Sequence, residues 1–131
     1  MSYLLDTNAW KALGLNMKLA PAARFLTDPK LPLTLLDVSF MEIAKAAENG
    51  TLTLDRPVRQ WLKDATAENV TVLPVSPEMA ALACELRTEH AFPNKDPFDQ
   101  LIVACAKVHG LTLVTRDGPI IRWGGVPTLR Y

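Results

Sequence analysis

The sequence predicts a three-layer α/β fold with a central, mainly parallel sheet of about five strands, and three observations lead there. Short apolar or β-branched runs alternate with helical patterns along the whole chain, the order that yields a parallel sheet covered by helices on both faces. The helix read from Pro97 to His109 is apolar almost all round, through Phe98, Leu101, Ile102, Val103, Ala104, Cys105, Ala106 and Val108, so it is expected between other elements. At 131 residues, 49% of them hydrophobic and 21% charged, the chain suffices for one sizeable core and not for two. Residues 1–131 are therefore read as one domain.

Each element has a local reason. Tyr3, Leu4 and Leu5 form a brief buried strand that stops at the polar trio Asp6, Thr7 and Asn8. A helix begins near Asn8, and a second follows Pro21, whose fixed φ suits a first helical turn. LTLL, residues 33–36, is the second strand. Ser39 then precedes the helix FMEIAKAAENG, which Asn49 and Gly50 close. VRQWLKDATAE, residues 58–68, is helical, and VTVLPV, residues 70–75, is a β-branched strand. Ser76 and Pro77 start a helix with Met79, Leu82, Ala83 and Leu86 at helical spacing. After the loop AFPNK, the 97–109 helix ends at Gly110, LTLV (111–114) is a strand, and TRDG is a sharp turn. VPTL near the end is a candidate edge strand, because Pro127 cannot donate to a central ladder.

Formal net charge is zero, so no global basic field attracts nucleic acid; a local patch or a bound metal would have to. Cys84 and Cys105 lie in the apolar patterns AALACEL and LIVACA without metal-ligand spacing, and are read as buried thiols in a reducing compartment. No apolar run approaches the roughly 20 residues of a membrane span, and the N-terminus enters a strand at once. A cytoplasmic protein with no membrane association is expected.

The acids fall where an open parallel sheet binds ligands, beyond the carboxyl ends of its strands. Asp6 follows the first strand, Glu42 lies one turn into the helix after the second, and Asp117 follows LTLV. Asp96 and Asp99 start the helix that leads into LTLV, and join the others only if loop 91–95 brings that helix start to the same edge. Structural roles compete at each position. S-F-M-E, Ser39 to Glu42, has capping-box spacing with Val38 and Ile43 as a hydrophobic staple. Asp96 before Pro97 is a good N-cap, Asp6 or Asn8 would cap the first helix, and Asp117 before Gly118 suits a turn. Asp99 fits such roles least, since a capping box needs Glu or Gln to reach back. Carboxylates converging on one edge would raise one another's pKa unless a cation sat among them. Hard oxygen donors suit Mg²⁺ or Mn²⁺, and no His and Cys cluster suits zinc.

Together LLDTNAW, SFMEIAKA, KDPFDQLIVACA and LTLVTRDGPII resemble, in order and spacing, the motifs of PIN domains, specifically the VapC-type toxins of type II toxin–antitoxin systems. The resemblance runs over essentially the whole chain. It implies a PIN-like α/β/α domain and a metal-dependent endoribonuclease, with tRNA or rRNA as target and Asp6, Glu42, Asp99 and Asp117 as catalytic and metal-binding acids. One or two Mg²⁺ or Mn²⁺ ions would supply an ionised water and offset charge on the scissile phosphate. Thr7, Asn8 and Thr115 match supporting polar positions, and Asp96 belongs to the D-P-F-D form of one branch. In that branch a histidine precedes the motif and an arginine follows it, where this chain has Asn94 and Gln100. The resemblance also implies a cognate antitoxin that covers the cleft, through a segment bearing an arginine, and a homodimer.

Lys95, Arg116 and Arg122 lie near these motifs and are candidate RNA-phosphate contacts, with ordinary solvated charge as the alternative. Trp10, Trp61 and Trp123 are read as packing residues, and His109 as a partner of its helix's negative end. Two rivals stand against the nuclease. One is a noncatalytic PIN-like module that binds RNA or protein, which keeping all four acids disfavours. The other is a phosphoaspartate receiver-like domain, which would want a lysine after a late strand where LTLVTRDG has arginine.

Overall fold

The computed structural model describes residues 2–131. Its elements run β1 (Tyr3–Leu5), α1 (Thr7–Gly14), a 3-10 helix (Pro21–Thr27), β2 (Leu33–Leu36), α2 (Val38–Glu48), α3 (Val58–Ala65), β3 (Val70–Leu73), α4 (Pro77–Glu89), α5 (Pro97–His109), β4 (Thr112–Val114), α6 (Gly118–Trp123) and β5 (Thr128–Leu129). All five strands are parallel, in the order β3-β2-β1-β4-β5. The chain builds outward from β1 to β2 and β3, then returns to the other side of β1 for β4 and β5. The switch point of the sheet therefore lies between β1 and β4, where Leu5 pairs with Val114.

Both faces of the sheet are apolar, and alternation along each strand assigns the residues. Leu4, Leu36 and Leu113 pack on one face with Met79 and Leu86 of α4, Ile102 and Val103 of α5, and Ile120 of α6. Leu5, Leu35 and Val114 pack on the other with Trp10 of α1, Ile43 of α2 and Trp61 of α3. Each such leucine, taken fully out of water, contributes about 1.5–3 kcal/mol. Trp10 and Trp61 meet edge to face at 5.3 Å, and the Trp10 indole donates to the Ala65 carbonyl at 2.8 Å, so both tryptophans are packing residues as the sequence implied. The expected burial of α5 is borne out from Ile102 to Ala106, and Gly110 ends that helix with φ 62°, a left-handed conformation that glycine adopts without strain.

Several boundaries differ from expectation. The segment after Pro21 is a 3-10 helix, the 58–68 helix stops at Ala65, and the 70–75 strand stops at Leu73 before Pro74. The edge strand is reduced to Thr128 and Leu129, joined to β4 alone. TRDG is not an isolated turn: Asp117 caps a six-residue helix, α6, that the sequence reading missed because Gly118 and Pro119 look like punctuation. Cys84 is exposed on α4, against the expectation of a buried thiol, because the buried stripe of that helix runs through Met79, Ala83 and Leu86. Among the described residues no helix is long and apolar enough to cross a membrane.

Candidate active site

Asp6 stands at the carboxyl tip of β1. Its amide extends the ladder to the Val114 carbonyl at 3.1 Å, and its Oδ1 accepts from the Ala9 amide at 2.7 Å as N-cap of α1. Burial pushes its carboxyl up from the ordinary value, and the nearby Asp117 adds to the rise; bonds from the Thr115 hydroxyl and the Ala9 amide oppose it. Thr115 is fully buried beside it, and its Oγ1 also accepts from the Asp117 amide at 3.1 Å. Asp117 in turn caps α6, with Oδ1 accepting from the Ile120 amide at 3.0 Å. Asp6 and Asp117 thus each cap a helix while standing near each other at the strand ends.

Glu42 is held differently from the capping box that its spacing suggested. The helix begins one residue before Ser39, with Asp37 at its N-cap making no side-chain cap bond, so Ser39 is already inside α2 and cannot cap it. Instead Ser39 Oγ, fully buried, lies 2.8 Å from Thr7 Oγ1, and the Thr7 hydroxyl donates to Glu42 Oε1. This hydroxyl pair ties α2 to the first turn of α1 and holds the Glu42 carboxylate against Thr7. Burial raises Glu42, its bond from Thr7 opposes the rise, and Asp96 and Asp6 add to it. Ser39, which its spacing assigned to capping, instead contacts Thr7 beside Glu42.

Asp99 shows that the connection from α4 does return to this edge. Its carboxyl is pushed up to about 7 by burial first and then by Asp96, Glu42, Asp117 and Asp6 together. Acids from four segments therefore act on Asp99. Asn94, at the position where the resembling branch has histidine, donates from Nδ2 to Asp99 Oδ2 at 3.1 Å, and Gln100 donates to the Asn94 carbonyl at 3.3 Å. Both departures from that branch thus serve to orient Asp99. Asp96 is exposed and caps α5, with Oδ1 accepting from the Phe98 amide at 2.8 Å and the Asp99 amide at 3.4 Å. It sits at the rim.

The remaining candidates divide. Asn8 is exposed in the first turn of α1. Lys95 and Arg122 are exposed, and among the described residues neither enters an ion pair. Arg116 is engaged elsewhere: Nε donates to the Tyr131 main-chain oxygen at 2.7 Å, Nη2 donates to the Lys18 carbonyl at 3.0 Å, and Cζ lies 4.3 Å from the centre of the Tyr131 ring. That guanidinium fastens the segment before Asp117 to two neighbouring loops. Lys11 is a cation the sequence reading passed over; it draws the Asp6 carboxyl down, as the weakest of the influences there.

The donor set suits a hard divalent cation. Asp6 Oδ1, Glu42 Oε1, Asp99 Oδ2 and Asp117 Oδ1 each serve a named partner, every donor is oxygen, and no ion pair compensates the cluster among the described residues. No three of the carboxylates are drawn into a close cage among those residues. A cavity of about 330 Å³ lined by Trp10, Leu26, Leu33, Trp61 and Val70 is a separate feature, beside the amino ends of β2 and β3.

A five-stranded parallel sheet whose switch point is ringed by carboxylates defines the class, and the PIN domain family matches residues 3–124; this chain belongs to that family. It is 37% identical over 117 residues to Ribonuclease VapC22 of Mycobacterium tuberculosis, covering 87% of this chain and 85% of that one. Among solved structures it resembles the toxin-antitoxin complex from Klebsiella pneumoniae, with TM-score 0.68 and 23% identity over 98% of this chain and 96% of that one. It also resembles Mycobacterium tuberculosis VapC20, described as a sarcin-ricin loop cleaving toxin, with TM-score 0.70 and 18% identity over 99% of this chain and all of that one. At these identities the two structures speak to the fold.

Proposed function

We propose that this chain, as a single domain, is a metal-dependent endoribonuclease that hydrolyses RNA phosphodiester bonds, and that it is the toxin of a toxin–antitoxin pair. The observation that carries the reading is the gathering of Asp6, Glu42, Asp99 and Asp117 about the switch point, where burial and neighbouring acids raise Asp6, Glu42 and Asp99 and no ion pair compensates them among the described residues. Membership of the PIN family and the likeness to a curated ribonuclease support it.

Asp6, Asp99 and Asp117 would hold one or two Mg²⁺ or Mn²⁺ ions, with Glu42 completing the set or positioning water, and an ion bound there would supply Lewis acidity and lower the pKa of water. Thr7 and Ser39 keep Glu42 in one rotamer, Thr115 braces Asp6 and the amide of Asp117, and Asn94 orients Asp99, so the carboxylates meet RNA preorganised. Asp96 sets the start of α5 and with it the position of Asp99. The RNA target is tRNA or rRNA. A cognate antitoxin covers the acidic cleft and presents an arginine to it, a reading that the likeness to a toxin-antitoxin complex supports. A homodimer in the cytoplasm is expected.

Incubation of the purified chain with total tRNA and rRNA, with and without Mn²⁺ or Mg²⁺, tests this. Discrete metal-dependent cuts, lost in Asp6→Asn and in Asp99→Asn, are expected. No cut in any RNA, with folded wild type failing to bind Mn²⁺, would move the function to the noncatalytic binding module; metal binding without a cut would point to an RNA substrate missing from the pool.

A further inference from the structure

Three basic residues flank the acids, and their surroundings separate them. Arg116 is exposed, but its Nε and Nη2 each donate to a main-chain acceptor and its guanidinium lies over the Tyr131 ring, so it is tethered to the protein. Arg122, in the last turn of α6, has neither ion pair nor acceptor among the described residues; the basic side chains with hydrogen-bond acceptors there are Arg56, Lys107 and Arg116. Its guanidinium folds back over Gly118, the residue after Asp117. A Cβ at Gly118 would stand 2.9 Å from Arg122 Nη1, 3.7 Å from Cζ and 3.8 Å from Nη2. Gly118 lies in helix α6 and is not among the positive-φ glycines, so its backbone would accept alanine; what glycine permits there is the approach of the guanidinium. A planar cation without a partner among the described residues is thus laid over Gly118, the residue that follows Asp117.

We propose that Arg122 binds a backbone phosphate of the RNA strand, next to the one that is cut, and that Gly118 is the residue that lets it lie there; Arg116 positions the Asp117 segment and touches no RNA. The inference rests on the nuclease reading for the identity of the strand. A guanidinium offers paired donors to the two non-bridging oxygens of a phosphate, and such a contact sets the register of the strand without reading its sequence. With the carboxylates repelling the RNA except where a cation bridges them, a phosphate held beside Asp117 aligns its neighbour with the cluster.

The test measures cleavage kinetics on total tRNA in Mn²⁺, and fluorescence anisotropy of fluorescein-labelled tRNA on the Asp99→Asn background, each at several salt concentrations. Arg122→Ala is expected to raise KM about tenfold, with most of the loss in KM rather than kcat, and to flatten the salt dependence of binding by roughly one phosphate contact. Gly118→Ala keeps every charge but re-aims the guanidinium, and is expected to raise KM about threefold with unchanged Mn²⁺ affinity and Tm. Arg116→Lys keeps a charge but cannot serve both carbonyl acceptors and the ring, and is expected to act on kcat and Mn²⁺ affinity instead. The proposal is overturned by active protein in which Arg122→Ala leaves KM and the salt slope unchanged, or in which Gly118→Ala matches wild type while Arg122→Ala does not. If wild type makes no cut, the nuclease reading fails by itself, and equal tRNA anisotropy with and without Arg122 would then overturn the contact as well.

Discussion

Asp55 and Asp64, on the side of the molecule where the strands begin, and Asp6, Glu42 and Asp99, beyond the strand ends, are chemically alike groups moved in opposite directions. Arg56 reaches Asp55 at 2.9 Å and Asp64 at 2.7 Å, and its bonds hold both carboxyls below the ordinary range. At the other end burial and neighbouring acids raise all three, and no arginine comes to meet them. An exposed pair of the first kind is common surface chemistry of small value to the fold. A buried cluster of the second kind works against the metal-free fold, and such an arrangement persists where a ligand needs it. The difference makes the end beyond the strand tips the candidate site and the other end ordinary surface.

The largest effect that would break this contrast is on cleavage. Asp99→Asn or Asp6→Asn is expected to cut the rate on the order of 10²–10³-fold while leaving Tm unchanged or raised, since each relieves repulsion; a variant that kept wild-type rate would remove that acid from the site. Asp96→Asn, which keeps the cap on α5, is expected to stay within about tenfold of wild type, consistent with a rim position. Next in size is the support of Glu42. Ser39→Ala should lower activity about tenfold and cost about 1 kcal/mol through the lost hydroxyl contact with Thr7, and full activity in that variant would show that Thr7 holds Glu42 unaided.

A smaller effect follows from pH. The Asp99 carboxyl titrates near 7 in the folded chain and near 3.8 when unfolded. Between those values the folded state holds more protons, so stability is lost as pH rises through the window. Metal-free wild type should therefore drop further in Tm between pH 5 and pH 8 than Asp99→Asn does, and saturating Mn²⁺ should erase the gap. Parallel Tm curves for the two proteins would place Asp99 outside the cluster. Smallest of all, Arg56→Ala should leave both cleavage and Tm within measurement error, because its partners are exposed.

Much of this was legible in the sequence because the signals were redundant. Apolar runs such as LLD and LTLV gave strands whose tips carry the acids, and the unbroken apolarity of α5 required burial on the inner side of α4. Asp99 stood out because the capping explanation fitted it poorly. What escaped notice involved single residues with two compatible readings. Ser39 and Glu42 are three apart, which serves a capping box and equally serves two inward positions on adjacent turns; a helix start one residue earlier decides between them. Gly118 and Pro119 read as a turn, although proline also suits the first turn of a helix, and Asp117 made α6 from them. Arg116 and Arg122 were indistinguishable by position, since only the fold shows which one meets carbonyls.

The most direct measurement is a calorimetric titration of Mn²⁺ into wild type, Asp99→Asn and Asp64→Asn. Saturable binding by wild type and Asp64→Asn, with binding lost or weakened at least tenfold in Asp99→Asn, is the expected result. Equal affinity in all three proteins, or none in wild type, would contradict the claim that the raised carboxylates at the strand ends are a metal site.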